Sequence, residues 1–245
     1  MKAMILAAGL GTRLRPLTND RPKALVTIAG RTLLEITIAR LRAFGVREII
    51  VNTHHFADQI EDFLRANDHF GLRIELSRED ELLDTGGGLK KAAWFFRGDD
   101  APFLLHNVDV ISNIDLGAMI QAHIDRGALA TLAVMQRKTS RYLLFDEAGM
   151  LCGRRAGADG ELEMARPADQ TEALAFCGIH VLSPQLLTRI SEEGVFAIIP
   201  VYLRLAAAGA MIASFRADAH AWRDLGRIES LAEAEREVQN GMYRS

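Results

Sequence analysis

The sequence predicts an α/β fold with a mostly parallel central sheet and a small antiparallel β insertion, and three observations carry that prediction. Apolar runs alternate with amphipathic stretches of helical period in βαβαβ order over residues 4–76. The first run, Met4 to Ala8, breaks directly into Gly9-Leu10-Gly11, as a buried strand does when it ends in a tight loop. From about residue 137 to 172 the pattern changes to short segments divided by Gly and Asp, which read as antiparallel hairpins.

Each element follows from local chemistry. Val26 to Ile28 runs into the turn Ala29-Gly30. Thr32 followed by Glu35 is a capping-box pattern, and Leu34, Ile38 and Leu41 recur at helical spacing until Phe44-Gly45. Residues 48–53 read as the second parallel strand. Phe56, Ile60, Phe63 and Leu64 give the next helix an apolar face, and residues 72–76 alternate like a strand with one wetter side. Thr85-Gly86-Gly87-Gly88 opens a helical segment over 89–96. Glycine inside a helix costs about 1 kcal/mol relative to alanine, so a ligand pressed against the backbone explains the run better than a plain flexible turn.

Residues 101–106 form a buried central strand that delivers Asn107-Val108-Asp109 to its carboxyl end, where ligands of open parallel sheets gather. Taken alone, Asp109 reads more readily as a turn or cap residue. A helix from Asp115 carries Leu116, Met119, Ile120 and His123, and residues 129–135 are a further strand. After the hairpin region, expected to form a lid or second lobe over the sheet, residues 173–182 return as a long strand. Pro184 begins a helix, Phe196, Ile198, Ile199, Leu203 and Leu205 fill core, and residues 211–216 are a late strand. A charged surface helix covers about 228–238, and residues 243–245 are expected to fray.

Composition sets the class. The 245 residues are 49% hydrophobic and 25% charged with net charge -3, which is ordinary for a globular protein and offers no basic footprint for nucleic acid. Cys152 and Cys177 lack metal-clip or redox spacing and read as buried hydrophobes. No run is long enough for a membrane span and the amino terminus lacks a signal-peptide pattern, so a cytoplasmic location is expected.

Thr12, Arg13 and Arg15 follow the glycines, and this order of backbone N–H groups, hydroxyl and guanidinium suits a phosphate. Two familiar loops fail. A dinucleotide fingerprint needs glycine where Leu14 stands, and a Walker loop needs Gly-Lys where Leu14-Arg15 stands. A third pattern fits. Residues 9–18 together with Arg21-Pro22-Lys23-Ala24-Leu25 resemble the signature of the sugar-1-phosphate nucleotidyltransferases. The resemblance continues through Thr85 to Gly88, Asn107 to Asp109, Phe176 to Leu182 and Trp222 to Gly226, and so covers the chain in order. The most similar members are short ones, the N-acetylmuramate-1-phosphate uridylyltransferases and mannose-1-phosphate guanylyltransferases, with Thr-Gly-Gly-Gly leaning toward the former.

This resemblance implies a Rossmann-like three-layer nucleotidyltransferase fold in a single domain over 1–245, with a β-rich sugar-binding insertion near 137–172 and no carboxyl-terminal β-helix. It implies attack by a sugar-1-phosphate oxygen on the α-phosphorus of an NTP with pyrophosphate leaving. Arg13 would hold the β and γ phosphates, and Leu6, Ala7, Ala8, Gly9, Gly11 and Thr12 would cradle the nucleotide. Lys23 would sit at the α-phosphate and sugar phosphate. Asp109 and Asp224 would bind Mg²⁺, whose taste for carboxylate and phosphate oxygens fits such a pair. Thr85, Gly86 and Gly87 would contact base, ribose or sugar, and Asn107 and Gly178 the substrate. His54 and His55 are weaker candidates for the sugar pocket, His106 reads as core or support, and the direction of His180 is unreadable. The partners implied are an NTP and a sugar-1-phosphate, without nucleic acid or membrane, in a monomer or small homo-oligomer.

Two positions depart from the family pattern. Val108 replaces a glycine and is expected to crowd a ligand at the backbone. The family's Glu-Lys-Pro lysine is missing; Glu163 to Pro167 is the nearest text, with Arg166 as a substitute. GTP with mannose-1-phosphate, a phosphocholine cytidylyltransferase and a nucleotide-sugar binding module without catalysis stand as alternatives.

Overall fold

The computed structural model describes residues 1–98, 100–157 and 160–243. The opening run forms strand β1 (Lys2–Leu6), and its loop passes through single 3-10 turns at Thr12–Leu14 and Lys23–Leu25 into the small hairpin β2 (Thr27–Ile28) and β3 (Arg31–Thr32). Helix α1 (Leu33–Ala43) starts where the capping pattern places it: Glu35 N–H donates to Thr32 Oγ1 at 3.0 Å. The reciprocal half of the box is absent, because the Glu35 carboxylate accepts from Arg31 instead. Strand β4 (Glu48–Thr53), helix α2 (Ala57–Ala66) and strand β5 (Arg73–Arg78) complete the expected βαβαβ unit.

Helix α3 (Asp84–Lys91) begins at Asp84, so the three glycines lie inside it and a 3-10 stretch, Ala92–Phe96, finishes the segment. Strand β6 (Phe103–Asn107) is followed at once by the short β7 (Val110–Ser112), then helix α4 (Leu116–Arg126), capped by Asp115, whose carboxylate accepts from Ala118 N–H at 2.9 Å. Strand β8 (Ala130–Met135) leads to β9 (Arg141–Phe145), β10 (Leu151–Ala156) and β11 (Leu162–Met164), and then to the long β12 (Glu172–Leu182). Pro184–Arg189 is a short 3-10 helix.

The segment assigned only to core at 196–205 is helix α5 (Ile198–Ala207). Pro200 is tolerated because it falls in the first turn, where N–H groups have no intrahelical partner. Strand β13 (Ile212–Arg216), strand β14 (Trp222–Asp224) and helix α6 (Ile228–Gln239) close the chain. Tyr243 is held by a hydrogen bond to Glu237; residues 244 and 245, also expected to fray, lie outside the described residues.

One ten-stranded sheet runs in the order β11-β10-β9-β12-β6-β1-β4-β5, with β8 beside β12 and β13 beside β8. Its centre, β6-β1-β4-β5, is parallel. The hairpins β9 to β11 do not stack as a layer over the sheet; they extend its edge antiparallel to β12. Alternate residues serve two cores, as the two-residue period of a strand requires. Ala3 and Ile5 face α1, α2 and α6, and Met4 faces α3 and α5. The result is helices, sheet, helices, with strand ends and loops left to build a cleft.

Candidate active site

The cleft, about 420 Å³, opens at the carboxyl ends of β1 and β6. Leu6, Ala7, Ala8 and Gly9 form one wall, Lys23, Asn107, Val108 and Asp109 the floor, and Asn52, Leu82, Asp84, Thr85 and Val195 the opposite wall. A second depression of about 450 Å³, near β9, β12 and β13, contains none of the predicted site residues.

The opening loop leaves a run of backbone donors free. Asn52 Oδ1 takes the Ala7 N–H at 2.7 Å, and among the described residues the N–H groups of Ala8 to Thr12 have no acceptor within the protein. Gly9, Leu10 and Thr12 are exposed, so these donors are open to solvent or to a ligand, and successive N–H groups around a glycine loop can form a nest for negative charge. Gly11 turns the loop at φ +63°, where a Cβ would also stand 3.0 Å from Thr18 Cγ2. Arg13, exposed on the next turn, lies over Gly226: a Cβ there would come within 3.0 Å of Arg13 Nη2.

Asn52 is itself supported. Its Nδ2 donates to Glu79 Oε1 at 2.7 Å, and Glu79 Oε2 accepts from Leu83 N–H at 2.9 Å. Glu79 is buried without a cation, yet both carboxylate oxygens are satisfied. Neither residue was a candidate from the sequence; the only signal was a polar residue inside the apolar strand 48–53.

Lys23 Nζ pairs with the Asp109 carboxylate in a largely enclosed position. Asp224 arrives through β14, which pairs antiparallel with β7 so that Asp224 lies opposite Val110, and Leu225 N–H donates to Asp109 O at 2.8 Å. The backbones of the two predicted carboxylate residues, distant in sequence, therefore lie side by side, and Arg13 stands over the Asp224 turn. Asp224 Oδ1 accepts from Gly226 N–H at 2.6 Å. Asp109 Oδ1 and Asp224 Oδ2 have no protein donor among the described residues.

Asn107 and Gly178 also meet. Gly178 takes φ +74° in a bulge where β12 changes register against β8, and a Cβ there would lie 2.8 Å from Asn107 Nδ2. Behind them His106 donates from Nδ1 to Asn107 O at 2.8 Å, its Nε2 is buried without a partner, and burial pushes its pKa down to about 4. His180 is turned away into the core against the Tyr202 hydroxyl at 2.8 Å. His54 Nδ1 is bound to Glu79 O at 2.9 Å.

Several expectations change. Gly86 and Gly87 do not line the cleft. Both N–H groups go to Phe196 O, at 2.9 and 3.1 Å, and added Cβ atoms would stand 2.5 Å from the Phe196 ring and 2.5 Å from Gly194 O, respectively. Their smallness serves helix packing rather than a ligand, while Thr85 Oγ1 caps α5 by accepting from Ile198 N–H at 3.0 Å. Val108 lines the cleft floor yet is only 4% exposed, most of its side chain lying in the core, so it crowds the ligand space less than expected. Arg166 does not reach the cleft; it pairs with Asp146 and donates to Leu151 O at 3.1 Å. Both cysteines are buried and free, and burial raises the Cys177 thiol to about 12.

The sequence matches the family described as Nucleotidyl transferase over residues 2–241. It is 39% identical over 212 residues to an N-acetylmuramate alpha-1-phosphate uridylyltransferase of Caulobacter vibrioides, covering 84% of this chain and 85% of that one. It is 33% identical over 195 residues to a mannose-1-phosphate guanyltransferase of Gibberella zeae, which covers 78% of this chain but only 51% of that longer protein. Among solved structures, HddC from Yersinia pseudotuberculosis complexed with GMP-PN superposes with TM-score 0.77 at 22% identity, over 97% of this chain and 99% of that one, a likeness of fold.

Proposed function

The chain belongs to the sugar-1-phosphate nucleotidyltransferases, enzymes that move a nucleotidyl group onto a sugar-1-phosphate, and from that premise we propose that it makes UDP-N-acetylmuramate from UTP and N-acetylmuramate 1-phosphate in the cytoplasm. The observation that carries this reading is the Caulobacter relative, which matches almost end to end, whereas the guanyltransferase match stops at about half of its partner.

Both reactants are anions, so the protein's work is alignment and charge neutralisation. The N–H groups of Ala8 to Thr12 cradle the triphosphate, and Arg13, reaching over the Asp224 turn, binds its β and γ phosphates. Lys23 is an ammonium with three donors, of which Asp109 takes one; the others face phosphate oxygens at the α position. Leu82 and Val195, exposed at the far wall, provide apolar surface for the base. Asn107, held close by Gly178, orients the acceptor.

The donor set fits Mg²⁺: two carboxylates, each with an oxygen free of protein donors among the described residues. Asp109 and Asp224 would hold the ion, which when bound neutralises phosphate charge.

The test is a matrix of four NTPs against N-acetylmuramate, N-acetylglucosamine, glucose and mannose 1-phosphates, read by pyrophosphate release with Mg²⁺. UTP with N-acetylmuramate 1-phosphate is expected to give the highest kcat/KM. A preference for GTP with mannose 1-phosphate would replace this reading with the guanylyl one, and silence with every pair would leave a binding module.

A further inference from the structure

Two arginines form no ion pair among the described residues: Arg137, close enough to Asp224 to feel its charge, and Arg155, farther out on β10. Arg137 follows β8 and lies flat on Trp222, its Cζ 4.0 Å from the ring centroid. One Nη donates to Phe176 O at 2.7 Å, and its Nε is buried with nothing to donate to. Trp222 is fixed by its own indole N–H to Cys177 O at 2.7 Å, and Asp224 follows two residues later on the same short strand. Arg155, on β10, stands directly across from Tyr142, with Cζ 5.7 Å from that ring, and its Nε is likewise buried without a partner.

Two nearby arginines are paired with acids. Arg154, on the opposite face of β10, is paired with Glu163 at 2.6 Å, and Arg166 is paired with Asp146. The cross-strand row Met135, Ala175, Tyr142, Arg155 places Tyr142 and Arg155 on one face, and Met135 packs in the core that includes Val108, Val110 and Leu225, the residues around the two carboxylates. Thus Asp224, Trp222, Arg137, Tyr142 and Arg155 lead outward from the reaction centre. Stacking on an aromatic face holds a guanidinium's plane, and its remaining edge N–H groups are left for contact with phosphate or carboxylate.

We propose that Arg137 and Arg155 are the acceptor-sugar anion site: Arg137, nearer the carboxylates, binds the 1-phosphate, and Arg155, across Tyr142, binds a second acidic group on the sugar. This deepens the proposed function and rests on it. The substrate class is a hexose-1-phosphate bearing a carboxylate, which N-acetylmuramate 1-phosphate has in its lactyl ether and N-acetylglucosamine 1-phosphate lacks.

The experiment compares those two sugars, with UTP and Mg²⁺, on the wild-type enzyme and on Arg155→Gln, Arg137→Gln and Arg137→Lys, all checked by thermal melting. Arg155→Gln is expected to raise KM for N-acetylmuramate 1-phosphate about tenfold or more, leaving KM for N-acetylglucosamine 1-phosphate and for UTP unchanged. Arg137→Gln is expected to raise KM for both sugars by a similar factor without moving KM for UTP, and Arg137→Lys, which keeps the charge, to recover part of the loss. Equal shifts for both sugars in Arg155→Gln, or none, overturn the second-anion assignment; an unchanged sugar KM in both Arg137 variants overturns the first. A wild-type enzyme that uses only the neutral sugar defeats the N-acetylmuramate reading and Arg155 with it, while Arg137 is still judged on the neutral sugar.

Discussion

Lys23 and Asp109, 86 residues apart in sequence, form an ion pair whose side chains keep only 10% and 20% of their exposure. The cleft therefore holds its lysine in place before any phosphate arrives. Such a pair acts as a unit. Lys23→Met and Asp109→Asn are each expected to lower kcat by about 10²–10³, and the double variant by less than the product of the two. Steady-state pyrophosphate release checks this, and fully multiplicative losses would show that the two side chains work independently.

The two glycine clusters should respond in opposite ways. Gly86→Ala drives a Cβ into the Phe196 ring and is expected to destabilise by about 1–3 kcal/mol, with Phe196→Ala relieving it. Gly9→Ala meets nothing within 4 Å, so melting should stay unchanged while KM for the NTP rises. Denaturation curves and kinetics on the two variants separate packing from ligand approach; a Gly86→Ala protein that melts like wild type would refute the packing role.

Glu79→Gln replaces one of two accepting oxygens with a donor, facing either Asn52 Nδ2 or Leu83 N–H. The loss is expected at about 1–3 kcal/mol in urea denaturation. Because Asn52 holds the Ala7 N–H, a weaker KM for the NTP should accompany it. A stability loss without that kinetic change would confine Glu79 to the scaffold.

Acid should unfold the protein through its buried imidazoles. Burial pushes His180 down to about 3 and His123 down to about 4, from 6.5. Ser183 Oγ already donates to Ala128 O, so it accepts from His123 Nε2–H and leaves Nδ1 to accept from Thr131. The folded values lie below the unfolded one. Their contribution to stability is complete above about pH 6.5 and is lost as pH falls toward 4 and below. The melting temperature should drop over that window, and His123→Gln should flatten the slope; an identical slope in the variant would exclude His123.

What could be read from the sequence was local or carried a long motif. The first strand and glycine loop announce themselves, because an apolar run stopping at Gly9 and Gly11 has few other uses. Asp224 needed the family pattern, since a lone aspartate before Leu225-Gly226 looks like any turn. Helix α5 was hidden by Ile198, Ile199, Pro200 and Val201, a run poor in helix formers that tertiary packing overrides. The glycines of α3 were misread for a related reason: their crowding comes from Phe196 and Gly194, far along the chain. Arg137 and Arg155 had no signal at all, for nothing in a sequence tells which arginine lacks a partner.

The pairing of β14 with β7 has a consequence for the order in which the protein comes into being. These two strands form a sheet of their own, apart from the large one, and only through it does Asp224 reach Asp109. A chain emerging from the ribosome can close β1, its loop and the Lys23 pairing long before residue 224 has been made. Until that last short strand docks, Asp224 is missing from beside Asp109, so on the proposed function activity is gained in a single late step rather than gradually.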